Sequence, residues 1–206
     1  MTEPAVIERA LDEPMAIRRA DAADLDAVLA LERAGFDPAS RWSAESWAAE
    51  IDGVDRCVLV AVEVGRATKV SEGSRQARPA GFSQSEGSRQ ARPAGESESE
   101  GSRPASAGLA GVATLQLVGD TADLHRVVVA PERRGRGIGR ALVEAGLAWV
   151  AGRGANRVLL EVEHDNAPAL ALYRGLGFAE LARRTDYYGA GRHALVMQYE
   201  ITELGS

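Results

Sequence analysis

The stretch Val127-Val128-Val129-Ala130-Pro131-Glu132-Arg133-Arg134-Gly135-Arg136-Gly137-Ile138-Gly139-Arg140 runs from β-branched residues into a loop holding three glycines and four arginines. The valines suit a strand, Pro131 cannot extend one, and the glycines let bare N–H groups approach an anion closely. The apolar spacing that follows predicts a helix over 141–152, whose dipole adds positive potential at the same loop. Strand, glycine turn and helix in that order predict an α/β unit with a phosphate or pyrophosphate cradle at its turn.

Two familiar phosphate loops do not fit these letters. A P-loop ends in Gly-Lys-Ser/Thr, so that the lysine reaches the phosphates and the hydroxyl reaches magnesium, whereas Gly139 is followed by Arg140. A dinucleotide fingerprint begun at Gly135 accepts Gly137 but requires a small residue where Arg140 stands, and no N-terminal βαβ unit surrounds it. The spacing Arg134-x-x-Gly137-x-Gly139 remains. It resembles the coenzyme A loop of the GNAT acetyltransferases. Taken alone, the same letters also read as a glycine-rich turn before a surface helix, its arginines merely solvated.

The chain has 206 residues, enough for one domain of ordinary size plus something extra. The sequence SEGSRQARPAG at 71–81 recurs letter for letter at 85–95, and a decayed copy occupies 99–108. These repeats lack the apolar face that solenoid units stack on their neighbours, so residues 71–107 are expected to form a disordered insertion with Phe82 as its only aromatic. Its arginines and glutamates number five each, which makes it a polyampholyte and not a basic arm. A net charge of −6 speaks against general nucleic-acid binding, where the phosphate backbone dominates affinity, and favours cationic substrates. Cys57 is the single cysteine and lies in the apolar run 57–62, so it reads as a buried thiol, and no disulfide can form within the chain. The acidic N-terminus lacks a signal-peptide pattern and no apolar run approaches a membrane span, which predicts a cytoplasmic protein.

Periodicity and caps supply a coarse map. A strand is expected at 15–19, a helix at 21–34, and a second helix capped by Ser43 with Trp47 and Ile51 facing inward. Strands at 56–64 and 109–118 form an antiparallel hairpin with the insertion in its turn; lengthening that loop tenfold costs only roughly 2 kcal/mol of closure entropy. A strand at 123–129, the helix after the glycines and an apolar strand at 157–162 make a crossover unit with the phosphate loop at its turn. Asp165 or Asn166 caps another helix, Gly177 ends it, and strands at 179–185 and 194–201 close the chain around Tyr187 and Tyr188. The fold class is α/β (α+β): a mixed central sheet of about seven strands with helices on both faces, one domain over 15–201, and flexible tails at 1–14 and 202–206.

Glu161 and Glu163 sit two apart in a strand of the type covered on both faces, so they share a face that either opens to solvent or lines a cleft beside the loop. The order of strand, Pro131, arginine-rich glycine loop, Leu160-Glu161-Val162, Asn166, Ala169-Leu170-Ala171-Leu172-Tyr173, Leu176-Gly177-Phe178 and Tyr187-Tyr188 resembles the RimI type of GNAT enzyme. That type acetylates the N-terminal alanine of a small-subunit ribosomal protein. The resemblance runs from about residue 123 to 197 without a gap and is weaker in the N-terminal half, at Arg41-Trp42-Ser43. It implies Glu161 as proton acceptor and Tyr173 as proton donor. It also implies acetyl-CoA binding by Val127, Val128, Val129, Arg134, Gly135, Arg136, Gly137, Ile138, Gly139, Arg140 and Asn166. Tyr187 and Tyr188 would wall a peptide groove; Trp42 reads as a packing residue that also borders it. A backbone N–H of Val127 to Val129, freed by a bulge, is expected to hold the oxyanion.

Glu163 stands where several relatives carry arginine, which points to cationic acceptors or to a solvated carboxylate. His125, His164 and His193 lie on separate elements without ligand spacing, so no metal is expected. The partner implied is a protein N-terminus, with no nucleic acid and no membrane. A small amine, a lysine side chain, or non-catalytic acyl-CoA binding are the alternatives.

Overall fold

The computed structural model describes residues 7–9, 15–64 and 108–202. Its strands are β1 Ile7–Arg9, β2 Met15–Arg19, β3 Arg56–Glu63, β4 Gly111–Val118, β5 Thr121–Val129, β6 Arg157–Glu163, β7 Ala179–Arg184 and β8 Ala194–Glu200. They form one mixed sheet of eight strands in the order β1-β2-β3-β4-β5-β6-β8-β7. The helices are α1 Leu25–Gly35, α2 Ala44–Asp52, α3 Ile138–Ala151 and α4 Ala167–Leu176.

The central strands read as continuous apolar runs because both faces are covered. Along β3, Cys57, Leu59 and Ala61 join the core under α3 and α4, while Val58 and Val60 join the core under α1 and α2. α1 and α2 contribute Val28, Leu31 and Trp47 to one core; α3 and α4 contribute Ile138, Leu142, Val150 and Leu170 to the other. Fully burying a side chain such as Leu142 stabilises the fold by roughly 2 kcal/mol, so the layered packing follows from the strand pattern.

β3 and β4 pair antiparallel from Arg56↔Gln116 to Ala61↔Gly111, as the hairpin reading required. The expectation of a disordered insertion over 71–107, including Phe82, lies outside the described residues. The expected flexible tails do too, except for 7–9 and residue 202. There the reading is corrected: Ile7–Arg9 adds an edge strand, paired antiparallel with β2. α3 starts at Ile138, a turn earlier than expected, since Ile138 is buried and carries the apolar stripe back toward the loop. α1 starts at Leu25, after a 3-10 turn over Ala22–Asp24 closed by a capping box between Asp21 and Asp24.

One irregularity organises the molecule. In the β4–β5 pair Thr114 faces Arg126 but Leu115 faces Leu124, which leaves His125 as an extra residue on β5. β5 and β6 pair in parallel only from Thr121↔Arg157 to Leu124↔Leu160. Beyond that point β5 continues along β4 and β6 along β8, so the two strands part. No described helix is long and apolar enough to cross a membrane.

Candidate active site

The gap between β5 and β6 opens two cavities and a passage linking them. Ala130 N–H donates to Ala110 C=O at 3.0 Å, so Val128, two residues back, also faces β4. Val127 and Val129 therefore turn their N–H and C=O groups into the gap, where Val129 C=O accepts Arg134 Nε at 3.2 Å. Their N–H groups are left unpaired because β5 and β6 part after Leu124, and the bulge on β5 lies before them, at His125.

The first cavity, about 640 Å³, is bounded by Val127 to Val129, Arg134, Gly135, Gly137 to Arg140, Asn166 and Tyr173. Gly135 and Gly137 have φ of +77° and +79°, a left-handed backbone that an L side chain resists. A Cβ on Gly135 would meet nothing within 4 Å, so the loop stands open. Gly137 caps α3 without any side-chain cap, leaving the first N–H groups of the helix for a ligand. Not every predicted arginine faces this space. Arg136 does not border it, and Arg140 borders it while donating to Gly175 C=O at 3.0 Å and lying 3.6 Å from Glu144. Asn166 caps α4 through Ala169 N–H at 3.2 Å, which uses its side-chain oxygen locally.

The second cavity, about 520 Å³, lies on the opposite side of the sheet opening, among Trp42, His125, Glu161, Arg184, Tyr187 and Tyr188. Val158, Leu160 and Val162 of β6 pack under α3 and α4, so strand alternation puts Glu161 and Glu163 on the other face. Glu161 sits here, away from the glycine loop, with Arg184 at 2.7 Å and the Tyr187 hydroxyl bonded to it. That hydrogen bond, ahead of the charge of Glu161, raises the Tyr187 pKa. Burial and then the Glu161 charge raise that of Tyr188. Glu163 is not available to a cationic acceptor, which corrects that expectation: Arg192 grips both its oxygens, at 2.5 and 3.0 Å, and holds its pKa below the usual carboxylate range.

The linking passage holds His125, Glu161, Asn166, Tyr173 and Tyr188 together. Tyr173 borders the glycine-loop cavity and the passage, its ring edge-on to Phe178 at 5.7 Å. Burial pushes its hydroxyl up to about 12, so it keeps its proton.

Several residues the sequence reading passed over shape this site. Arg126 pairs with buried Glu32, donates to Ser40 C=O at 3.0 Å and lies between the rings of Phe36 at 4.0 Å and Trp42 at 4.6 Å. Glu32 also accepts Trp42 N–H at 2.8 Å, fixing Trp42 as both packing residue and cavity wall. Glu50 pairs with Arg56 and accepts Thr114 Oγ1 at 2.5 Å. A signal existed: Glu32 and Glu50 stand at apolar phases of their helices, four after Val28 and three after Trp47. His164 and His193, separate in sequence, meet at a tilt with their ring centroids 5.0 Å apart. Among the described residues no group of three or more His, Cys, Asp or Glu is arranged to hold a metal.

The chain belongs to the GNAT acetyltransferase family: the model described as "Acetyltransferase (GNAT) family" matches residues 77–178. It is 46% identical over 83 residues to a mycothiol acetyltransferase of Clavibacter michiganensis, covering 40% of this chain and 27% of that protein. It is 41% identical over 80 residues to the ribosomal protein bS18-alanine N-acetyltransferase of Escherichia coli, covering 39% of this chain and 54% of that protein. The matched part thus spans from about a quarter to about half the length of these curated relatives. The crystal structure of the Escherichia coli alanine N-acetyltransferase matches with a TM-score of 0.65 at 25% identity, over 93% of this chain and 97% of that one. The PaiA N-acetyltransferase of Thermoplasma acidophilum, solved with coenzyme A, shares the fold at a TM-score of 0.61 and 16% identity, over 91% and 99%.

Proposed function

We propose that the protein is an acetyl-CoA-dependent N-acetyltransferase whose acceptor is a protein N-terminal α-amine, foremost the N-terminal alanine of a small-subunit ribosomal protein. The observation that carries this reading is the meeting of two cavities at the gap between β5 and β6. One is lined by a glycine-arginine loop and free backbone N–H groups, the other by Glu161 and aromatic residues. The named relative from Escherichia coli supports the acceptor, and the neighbour solved with coenzyme A supports the cosubstrate.

The first cavity suits coenzyme A. Left-handed glycines, the uncapped start of α3 and Arg134 offer N–H donors and positive potential to a pyrophosphate. Acetyl-CoA, when bound, supplies an acyl thioester. The N–H groups of Val127 and Val129 turn into the gap and are the backbone donors available to negative charge that develops on the acyl oxygen. Glu161 takes a proton of the attacking amine, and Tyr173 gives its proton to the departing thiolate sulfur. The amine attacks directly, without an acyl-enzyme. An α-amine, with a pKa near 8 against about 10.4 for lysine, costs roughly 3 kcal/mol less to deprotonate at neutral pH.

Offering acetyl-CoA with an alanine-initiated ribosomal peptide and, separately, with polyamines and lysine peptides tests the reading by mass shift. A gain of one acetyl group on the peptide's α-amine is expected; modification of polyamines or lysine alone refutes it. A small-amine acceptor is the second reading, favoured by the mycothiol acetyltransferase relatives.

A further inference from the structure

The proposed reaction leaves a proton unaccounted for. At neutral pH the acceptor nitrogen enters as an ammonium and leaves as an amide, so it loses two protons while the C–N bond forms and the C–S bond breaks. Tyr173 gives its own proton to the thiol sulfur and is restored by one of the two, and the other must reach solvent. Glu161 accepts one of the two, and its carboxylate is already engaged by Arg184 and the Tyr187 hydroxyl. The proton lost before attack needs a route out, and a second basic group in the same cavity supplies one.

His125 has the position and the support for that task. The bulge makes it the one extra residue of β5, and it borders both the acceptor cavity and the passage toward Tyr173. Behind it stands Glu50, whose Oε2 lies 3.7 Å from His125 Nδ1 while Thr114 and Arg56 hold the carboxylate from the sheet. Burial alone would raise the Glu50 pKa, but His125, Thr114 and Arg56 outweigh it, so Glu50 remains a carboxylate. With Nδ1 toward Glu50, Nε2 is the ring nitrogen left to accept a proton. Trp42 meets the ring edge-on at 6.2 Å and limits its rotation.

We propose that His125, oriented by Glu50, takes the first proton of the acceptor ammonium and passes it to solvent, leaving the free amine to attack and Glu161 to receive the second. The proton moves from the acceptor nitrogen to Nε2, with the Glu50 carboxylate on the Nδ1 side of the ring, and water takes the proton on. This inference rests on the acetyltransferase reading above. The charged and titratable groups around His125 are Glu50 on α2, Asp55 and Arg56 at the start of β3, Asp123 and Arg126 on β5, Glu161 on β6, Arg184 on β7 and Tyr187 and Tyr188 after it.

The test compares wild type with His125→Gln, His125→Ala and Glu50→Gln, following acetyl transfer to the best peptide acceptor from roughly pH 5 to 9. His125→Gln is expected to lower kcat/KM by on the order of 10²-fold and to flatten the pH dependence in the neutral range. Free imidazole is expected to restore part of the activity of His125→Ala, which a purely structural role would not allow. Glu50→Gln, if folded by its melting curve, is expected to fall between the two. A loss under threefold in His125→Gln overturns the inference. So does a larger loss with an unchanged pH profile and no imidazole rescue. A wild-type protein that acetylates no amine refutes the acetyltransferase reading itself, whereas an active wild type with an indifferent His125→Gln refutes the inference alone.

Discussion

Replacing Tyr173 by phenylalanine separates the chemistry assigned to its hydroxyl from the packing of its ring. Tyr173 is buried, and its hydroxyl is pushed from the ordinary value near 10 up to about 12. The environment therefore favours the protonated phenol by roughly 3 kcal/mol over a solvent-exposed one, and at pH 7 about one molecule in 10⁵ is ionised. Such a group carries its proton throughout the neutral range but is a weakened acid, so it gives that proton only as negative charge develops on the sulfur in the transition state. The ring's contact with Phe178 is kept in the phenylalanine variant, so unfolding free energy is expected to change by less than about 1 kcal/mol. Loss of a general acid costs 10²- to 10⁴-fold, or roughly 3 to 5 kcal/mol of transition-state stabilisation. The drop should appear in kcat at saturating acetyl-CoA, with KM for acetyl-CoA changed by no more than a few fold. Release of the thiol product can be followed with a chromogenic disulfide, since Cys57 is buried and silent to it. A kcat within threefold of wild type, in a variant that melts like wild type, would refute the role of Tyr173 as proton donor.

Other perturbations probe the cradle, the core and the thiol. Gly137→Ala forces a side chain onto a residue at φ +79°, so a cost of roughly 1 to 2 kcal/mol and at least tenfold weaker acetyl-CoA binding by calorimetry are expected; unchanged affinity would remove the loop from the site. Gly146→Ala sets a Cβ 2.5 Å from Leu115 Cδ1, and because Leu115 is fully buried it cannot swing clear. Overpacking of about 1 to 3 kcal/mol should show as a lower urea midpoint. Cys57, fully buried and pushed up to about 11, should resist iodoacetamide in the native protein and react only after unfolding. Its raised value also carries a sign: the thiol favours the folded state below pH 9, and that contribution is lost as the pH climbs toward 11.

Much of the fold was legible because its signals are local. The valine run, the glycines at positive φ, Ser43 and Asn166 as caps and Gly177 as a terminator each act within a few residues of themselves. Periodicity then sorted the elements, and the family resemblance of the glycine loop, Glu161 and Tyr173 named the chemistry to look for. Boundaries slipped where an apolar residue could belong to either side of a cap, as Ile138 does at the start of α3.

The sequence by itself determined the order of strands and helices from residue 15 onward, the glycine turns of the loop and the ionisable side chains at Glu161 and Tyr173. Those properties belong to short segments, whose backbone preferences and side-chain chemistry travel with the letters. Only the tertiary structure decided that β5 bulges at His125 and parts from β6 after Leu124, because register is a property of two strands and not of one. It also neutralised Glu163 with Arg192, 29 residues away, set Arg184 on Glu161 and brought Glu50 behind His125. Each of these pairings depends on a distance in space between residues far apart in the chain, which neither composition nor spacing encodes.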